Sequence, residues 1–232
     1  MMQYVREISL IGEENFQKLR RARAAVFGVG GVGSYAAEAL VRAGVGHVTF
    51  VDGDGVSLSN LNRQLIALHS TLGRNKAEVM AERARDIDPQ GEYIAVPHFY
   101  GADTAADFDF TQFDLVADCI DAVPEKVRLI TAARSVGVPV VSAMGAGNKT
   151  RCEFRAADLE KTRECPLARI MRRELKKAGV TGVVAVYSEE KPLVPDRTSA
   201  RSGEKFIGSL SYVPSSAGLC LAGEAIRILL SR

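Results

Sequence analysis

The amino-acid sequence predicts an α/β fold: a doubly wound, mostly parallel sheet with helices on both faces and a C-terminal extension. Three observations carry this. Short apolar runs alternate with helical stretches along residues 24–147, the pattern of a parallel sheet with crossover helices. The first run, Ala24–Phe27, passes into Gly28-x-Gly30-x-x-Gly33 and then into Ser34-Tyr35-Ala36-Ala37-Glu38-Ala39-Leu40, which reads as a strand, a glycine turn and a helix start. Asp52 closes the second run about twenty residues beyond the glycines, the spacing of a Rossmann-like nucleotide-binding half.

The elements follow in order. Val5, Ile8, Leu10, Ile11, Phe16 and Leu19 recur at loose spacings of three and four, interrupted by Gly12. This predicts a helix, a turn and a second short helix ending in the cluster Lys18, Arg20, Arg21 and Arg23. On such an arm Arg6 serves equally well as a surface side chain or as a reach to a bound phosphate. Strand one is Ala24–Phe27. The helix from Ser34 runs to about Arg42 and is closed by Gly44 and Gly46. His47–Val51 is strand two. A helix opens at Gly73-Arg74-Asn75-Lys76 and runs to Arg85. Ile94–Val96 is strand three, and Leu115–Ile120 is strand four, ending in Asp121, with Asp118 a structural residue within it. Lys126–Arg134 is a helix and Pro139–Met144 is strand five, followed by Gly145-Ala146-Gly147-Asn148. Pro166–Ala178 reads as a basic helix. Residues 191–205 read as a loop, and Ser216–Leu230 as a small, apolar closing helix for the core or a dimer interface. The whole chain, 1–232, is expected to be one domain: a helical arm (1–23), a nucleotide-binding core (24–150) and a substrate-facing part (151–232).

Composition narrows the function classes. Hydrophobic residues make up 47% and charged residues 25%, as in ordinary soluble globular chains. No uninterrupted apolar run reaches the ~18–20 residues that span a bilayer, and residues 1–10 show no signal-peptide pattern; both point to the cytoplasm and away from a membrane. The four cysteines, Cys119, Cys152, Cys165 and Cys220, form no C-x-x-C pair, which argues against a disulfide framework or a four-thiolate zinc site. Cys119 and Cys220 lie in apolar patterns; Cys152 and Cys165 are the exposed candidates, and neither has a nucleophile's surroundings. His47, His69 and His98 have no metal spacing.

The chemistry gathers after the glycines. Gly28, Gly30 and Gly33, with Gly31 between them, let the backbone approach a phosphate at a helix N-terminus. Asp52, at the tip of strand two, can accept both hydroxyl hydrogens of a ribose. Ser57-Leu58-Ser59-Asn60-Leu61-Asn62-Arg63-Gln64 is dense in amides and precedes Lys76. A nicotinamide enzyme has no need of that stretch, whereas a triphosphate site does. Arg63 can fork onto phosphate oxygens, Lys76 adds a compact charge, and Asn60 and Asn62 can orient the phosphates or the attacking group. Asp121, at another strand's carboxyl end, could hold Mg²⁺ against a departing pyrophosphate.

Gly28–Ser34, Asp52-x-Asp54, Ser59-Asn60-Leu61-Asn62-Arg63-Gln64, Lys76 and Asp118-Cys119-Ile120-Asp121 together resemble the E1-like adenylyltransferases over residues 24–147. The resemblance implies ATP and Mg²⁺ as cofactors and attack of a carboxylate on the α-phosphate. It implies a nucleotide site of Gly28, Gly30, Gly31, Gly33, Asp52, Asn60, Asn62, Arg63, Gln64 and Lys76. Arg63 (an arginine finger), Lys76 and Asp121 would be catalytic, with Asp121 on the metal. The order Asp158-Leu159-x-Lys161-Thr162, Pro166-Leu167-Ala168-Arg169, Val183–Pro192, Gly208-Ser209 and Val213–Leu219 is similar to the tRNA threonylcarbamoyladenosine dehydratases. Two departures are Cys165, where an acidic residue is expected, and the lack of a long apolar C-terminal tail. This likeness implies a tRNA substrate whose carboxylate is activated and cyclised, a homodimer, and a possible sulfur-transfer or desulfurase partner.

Arg169, Arg172, Arg173, Lys176 and Lys177 could then meet tRNA phosphates, or simply form a solvated face. Lys191, Arg197, Arg201 and Lys205 could fold over RNA. The competing readings are activation of a small sulfur-carrier protein, a docking module that only binds ATP, and a nicotinamide oxidoreductase. The missing zinc pairs count against the first, and the set Arg63, Lys76 and Asp121 against the second.

Overall fold

The structure, a computed structural model, describes residues 2–194 and 207–232. Its strands are β1 (Arg23–Phe27), β2 (His47–Val51), β3 (Glu92–Val96), β4 (Leu115–Asp118), β5 (Val140–Ala143), β6 (Arg155–Asp158) and β7 (Val184–Tyr187). Its α-helices are α1 (Val5–Ile11), α2 (Glu13–Arg21), α3 (Gly33–Arg42), α4 (Lys76–Ile87), α5 (Val123–Ser135), α6 (Pro166–Lys177) and α7 (Tyr212–Leu230). The strands form one sheet in the order β3-β2-β1-β4-β5-β7-β6. Every pairing is parallel except β6 with β7. The order reverses between β1 and β4, so a crevice opens beyond their carboxyl ends.

Helices cover both faces, and β1 shows why its sequence is apolar from Ala24 onward. Ala24 and Val26 join the core under α3, α4 and α7, while Ala25 and Phe27 join the core under α5 and α6. A strand buried on both faces has no polar face to alternate with. The arm is fastened by Arg20, which pairs with the buried Asp88 at the end of α4.

Four expectations need correction. Strand four stops at Asp118, because the Asp118 carboxylate accepts the Ile120 N–H at 3.2 Å and turns the chain out of the ladder. Cys165 is buried, not exposed; it precedes Pro166 at the start of α6 and joins the core beneath it. Arg172 is not free for a phosphate, since its guanidinium turns in to the Thr162 carbonyl at 2.9 Å. Finally, α7 has the length and apolarity to cross a bilayer, although no uninterrupted apolar run of that length lies in the sequence. In place it is a core helix: Leu221, Ala222, Ala225 and Leu229 are buried in the same core as Ala36, Ala37 and Leu40 of α3. The C-terminal part also carries the sheet onward, through β6 and β7, neither of which the sequence announced as a strand.

Candidate nucleotide site

The crevice is a cleft of about 1170 Å³. Its nucleotide-like end is walled by Gly28, Gly30, Gly31, Asp52, Asp54, Asn60, Arg63, Gln64 and Lys76, with Asp121 and Glu125 on the side of β4 and α5. Phe99–Thr104 form a further wall, and Gly145–Lys149 and Cys165–Leu167 close the far end.

The glycines divide by what they do. At Gly28 φ is +86°, and a Cβ would lie 2.7 Å from the Cys119 carbonyl oxygen. At Gly33 a Cβ would lie 1.8 Å from the Gly28 carbonyl oxygen. Both are glycine because the protein itself leaves no room. Gly30 is different: the nearest atom to its Cβ position is Gln64 Nε2, at 3.8 Å. Nothing in the protein requires glycine there, so the vacant Cβ position leaves space for a close-approaching ligand. Beside it, Gln64 Oε1 is buried without a hydrogen-bond partner among the described residues, an orphaned acceptor suited to a donor on a ligand.

Asp52 is buried and braces the turn. Its Oδ2 accepts the Val29 N–H at 2.7 Å and its Oδ1 accepts the Asp54 N–H at 2.9 Å. Burial raises its carboxyl above the ordinary range, against the lowering effect of these two bonds. Asn75 caps α4, accepting from the Ala77 N–H at 2.8 Å, and donates to the Asp52 carbonyl at 3.0 Å, tying the helix start to the tip of β2. Lys76, the first residue of α4, is thereby aimed into the cleft wall, where its Nζ meets Asp54 Oδ2 at 2.8 Å. Asp54, whose role the sequence left open, is the counter-ion of this buried lysine.

Asn60 is buried in a tight helical turn, its Oδ1 accepting the Ser57 N–H at 3.1 Å. Arg63 is half-buried, and Nη1 donates to the Ser59 carbonyl at 2.8 Å and to Asn62 Oδ1 at 3.0 Å. Its Nη2 and Nε make no bond among the described residues, which leaves a fork for phosphate oxygens. Ser34 Oγ donates to the Gly30 carbonyl at 2.6 Å and accepts the Leu65 N–H at 3.1 Å, joining the glycine turn to this segment.

Most of the expected residues therefore meet in one cleft, and two do not wall it. Gly33 lies beneath, packing α3 on the turn. Asn62 is exposed, and its amide donates to the Ser209 carbonyl at 3.0 Å, so it steadies Arg63 and the chain before α7 instead of lining the cleft. Arg6 is exposed on α1 and is not among the lining residues. Arg197, Arg201 and Lys205 lie outside the described residues.

Sequence reasoning missed the Phe99–Thr104 wall and Lys149. Lys149 is buried at the far end and donates to the carbonyls of Ser188, at 3.2 Å, and Glu190. Burial lowers its ammonium below the usual lysine range.

The two cysteines that line the cleft, Cys119 and Cys165, offer no nucleophile. Burial, aided by Asp118, pushes the Cys119 thiol up to about 12, and a thiol that holds its proton is a poor nucleophile. Cys165 is enclosed.

The donors fit a nucleoside triphosphate with a divalent cation. The described residues offer no cluster of three or more metal-ligating side chains. Asp121 and Glu125 are the carboxylates on the β4 and α5 side of the cleft, and one or two carboxylates together with substrate phosphates are a donor set that Mg²⁺ takes.

The profile of the ThiF family matches residues 4–232. The chain is 39% identical to a tRNA threonylcarbamoyladenosine dehydratase of Bacillus subtilis, covering 98% of this chain and 94% of that protein. It is 40% identical to the Escherichia coli protein of that name, over 80% of this chain and 73% of the other. An Escherichia coli TcdA structure in complex with ATP superposes with a TM-score of 0.89 at 34% identity, covering 99% of this chain and 94% of that one. An adenylyltransferase and sulfurtransferase uba4 of Emericella nidulans is 32% identical, over 92% of this chain but 41% of that protein.

Proposed function

This chain belongs to the ThiF family, and from that premise we propose that it is an ATP-dependent tRNA threonylcarbamoyladenosine dehydratase. The observation that carries the reading is the near full-length likeness to dehydratases of that name, with a cleft where the open Cβ position of Gly30 and the orphaned Gln64 amide oxygen suit a nucleotide. The substrate carboxylate attacks the α-phosphorus of ATP, forming an acyl-adenylate and releasing pyrophosphate. A heteroatom of the carbamoyl group then attacks the acyl carbon. AMP leaves with the former carboxylate oxygen, so the base has lost one water overall.

We assign the roles as follows. Backbone N–H groups at Gly30 and Gly31 and the start of α3 cradle phosphate. Asp52 accepts from the ribose hydroxyls. Arg63 neutralises charge as the pentavalent phosphorus forms, acting as an arginine finger. Lys76 exchanges part of its bond to Asp54 for phosphate oxygens. Asn60 and Gln64 orient the phosphates through their amide N–H groups. Asp121, with Glu125 beside it, would hold Mg²⁺; when bound, that ion neutralises charge on the leaving pyrophosphate.

For the tRNA we propose the exposed face of α6, where Arg169, Arg173, Lys176 and Lys177 reach solvent and can position a phosphate backbone without reading sequence. The proposed assembly is a homodimer acting in the cytoplasm, with a sulfur-transfer or desulfurase protein as a possible further partner. Activation of a sulfur-carrier tail, as in the uba4-like proteins, fits less well: the chain has no paired zinc cysteines, and Cys119 and Cys165 are unsuited to capture an acyl group. Mass spectrometry of the modified nucleoside, after incubation of the threonylcarbamoylated tRNA with enzyme and ATP, tests the reading. Loss of one water from the base supports it; ATP consumption with an unchanged base refutes it.

A further inference from the structure

Asp118 ends β4 and Lys126 lies on α5; both are fully buried, 2.8 Å apart. A buried ion pair is seldom a gain over apolar packing of the same volume, because two charges must be desolvated. Its hydrogen bonds suggest what it is for. Asp118 Oδ1 accepts the Ile120 N–H at 3.2 Å, and Lys126 Nζ donates to the Ile120 carbonyl at 3.0 Å. Ser142 Oγ, on β5, donates to Asp118 Oδ2 at 2.7 Å. The pair thus grips the backbone of Ile120 on both sides, and the carbonyl it grips belongs to the peptide bond leading into Asp121. The same turn is pinned from below, where the Cys119 N–H donates to the Phe27 carbonyl at 2.8 Å. Cys119, Ile120 and Asp121 all line the cleft. Asp121 itself is exposed and makes no ion pair among the described residues, so its position is set by its backbone.

We infer that Asp118 and Lys126 are positioning residues, whose clamp on Ile120 aims the Asp121 carboxylate at the metal–pyrophosphate end of the nucleotide. The inference rests on the assignment of Asp121 to Mg²⁺ and says what holds that carboxylate in place. Groups that orient a metal ligand from behind change metal affinity without touching the metal.

The test is the double variant Asp118→Leu/Lys126→Met, which leaves no unpaired buried charge, studied beside Asp121→Asn in the full-length protein. Three quantities are read: melting temperature, ATP affinity in EDTA, and the Mg²⁺ concentration giving half-maximal strengthening of ATP binding. The double variant keeps its melting temperature and metal-free ATP affinity, while half-saturating Mg²⁺ rises about tenfold or more, as in Asp121→Asn. An unchanged Mg²⁺ requirement in the double variant, with a raised one in Asp121→Asn, overturns the inference alone. An unchanged requirement in Asp121→Asn overturns the Asp121 assignment and the inference with it. Should the double variant not fold, Ser142→Ala decides: a raised Mg²⁺ requirement at unchanged metal-free affinity supports the clamp, and an unchanged one refutes it.

Discussion

Replacing Gly30 by alanine separates what the glycine turn does for the fold from what it does for the ligand. Its φ lies outside the left-handed region and its Cβ position meets nothing closer than Gln64 Nε2, at 3.8 Å. Alanine therefore costs the apo-protein nothing, and by restricting the unfolded chain it adds about 0.4–1 kcal/mol. Gly28→Ala does the reverse. At φ +86°, with a Cβ 2.7 Å from the Cys119 oxygen, it loses about 1–3 kcal/mol to strain and overpacking. At roughly 2–4 °C per kcal/mol for a chain of this size, the two melts move in opposite directions without nucleotide. With ATP the order changes. A methyl group at Gly30 occupies the phosphate's approach, and ATP binding weakens by about tenfold, or ~1.4 kcal/mol. At ATP equal to 100 times the wild-type dissociation constant, the ligand stabilises wild type by about 2.7 kcal/mol and the variant by only about 1.4 kcal/mol. Thermal melts with and without ATP, backed by calorimetric titration, read both numbers. Wild-type ATP affinity in Gly30→Ala would refute the assignment of this cleft end to phosphate.

Arg63→Ala folds normally but loses turnover by about 10³-fold or more, and Arg63→Lys does not rescue it, because a point charge lacks the fork; normal turnover in steady-state assays removes Arg63 from the mechanism. Burial alone would raise the Asp88 carboxyl, but the bonds from Arg20 and Tyr93 outweigh it and hold it below its ordinary value. A lowered carboxyl stabilises the fold above its unfolded-state pKa, and that contribution is lost as pH falls through the folded value. Asp88→Asn should accordingly cost about 2 kcal/mol in urea melts at neutral pH and progressively less in acid, and a cost that does not change with pH would show that the pair's charge is unimportant. Arg169→Ala and Lys176→Ala each lower the slope of log affinity for tRNA against log salt by about 1 and leave ATP affinity alone; an unchanged slope in filter binding makes α6 a solvated face.

Much of this was legible in the chain, and the failures have physical causes. His47–Val51 was readable to the residue, since a short β-branched and aromatic run with a glycine before it and an aspartate after it has unambiguous ends. β4 was overextended because Cys119 and Ile120 are as apolar as the strand; only the Asp118 side chain, bonding backward to the Ile120 N–H, breaks the ladder. β6, Arg155–Asp158, is an antiparallel edge strand with no fully buried residue, so it carries no hydrophobic signature. Arg172 was misplaced because helical spacing gives a face, but whether that face meets solvent depends on where α6 docks on the sheet; Cys165, just before α6, is buried by that same docking. In the site, residues that act through local backbone geometry (Gly28, Gly33, Asp52) could be found from spacing alone. The Phe99–Thr104 wall and Lys149 could not, because their place in the cleft is created by the sheet order and not by any motif.

In the proposed reaction one ATP-driven activation cyclises one base. The most direct measurement is a single-turnover reaction of enzyme, ATP and threonylcarbamoylated tRNA, following pyrophosphate and the cyclised nucleoside together. Pyrophosphate is expected only with the modified tRNA, equal in amount to the base that has lost water. Pyrophosphate release without tRNA, or with tRNA whose base stays intact, would contradict that reaction.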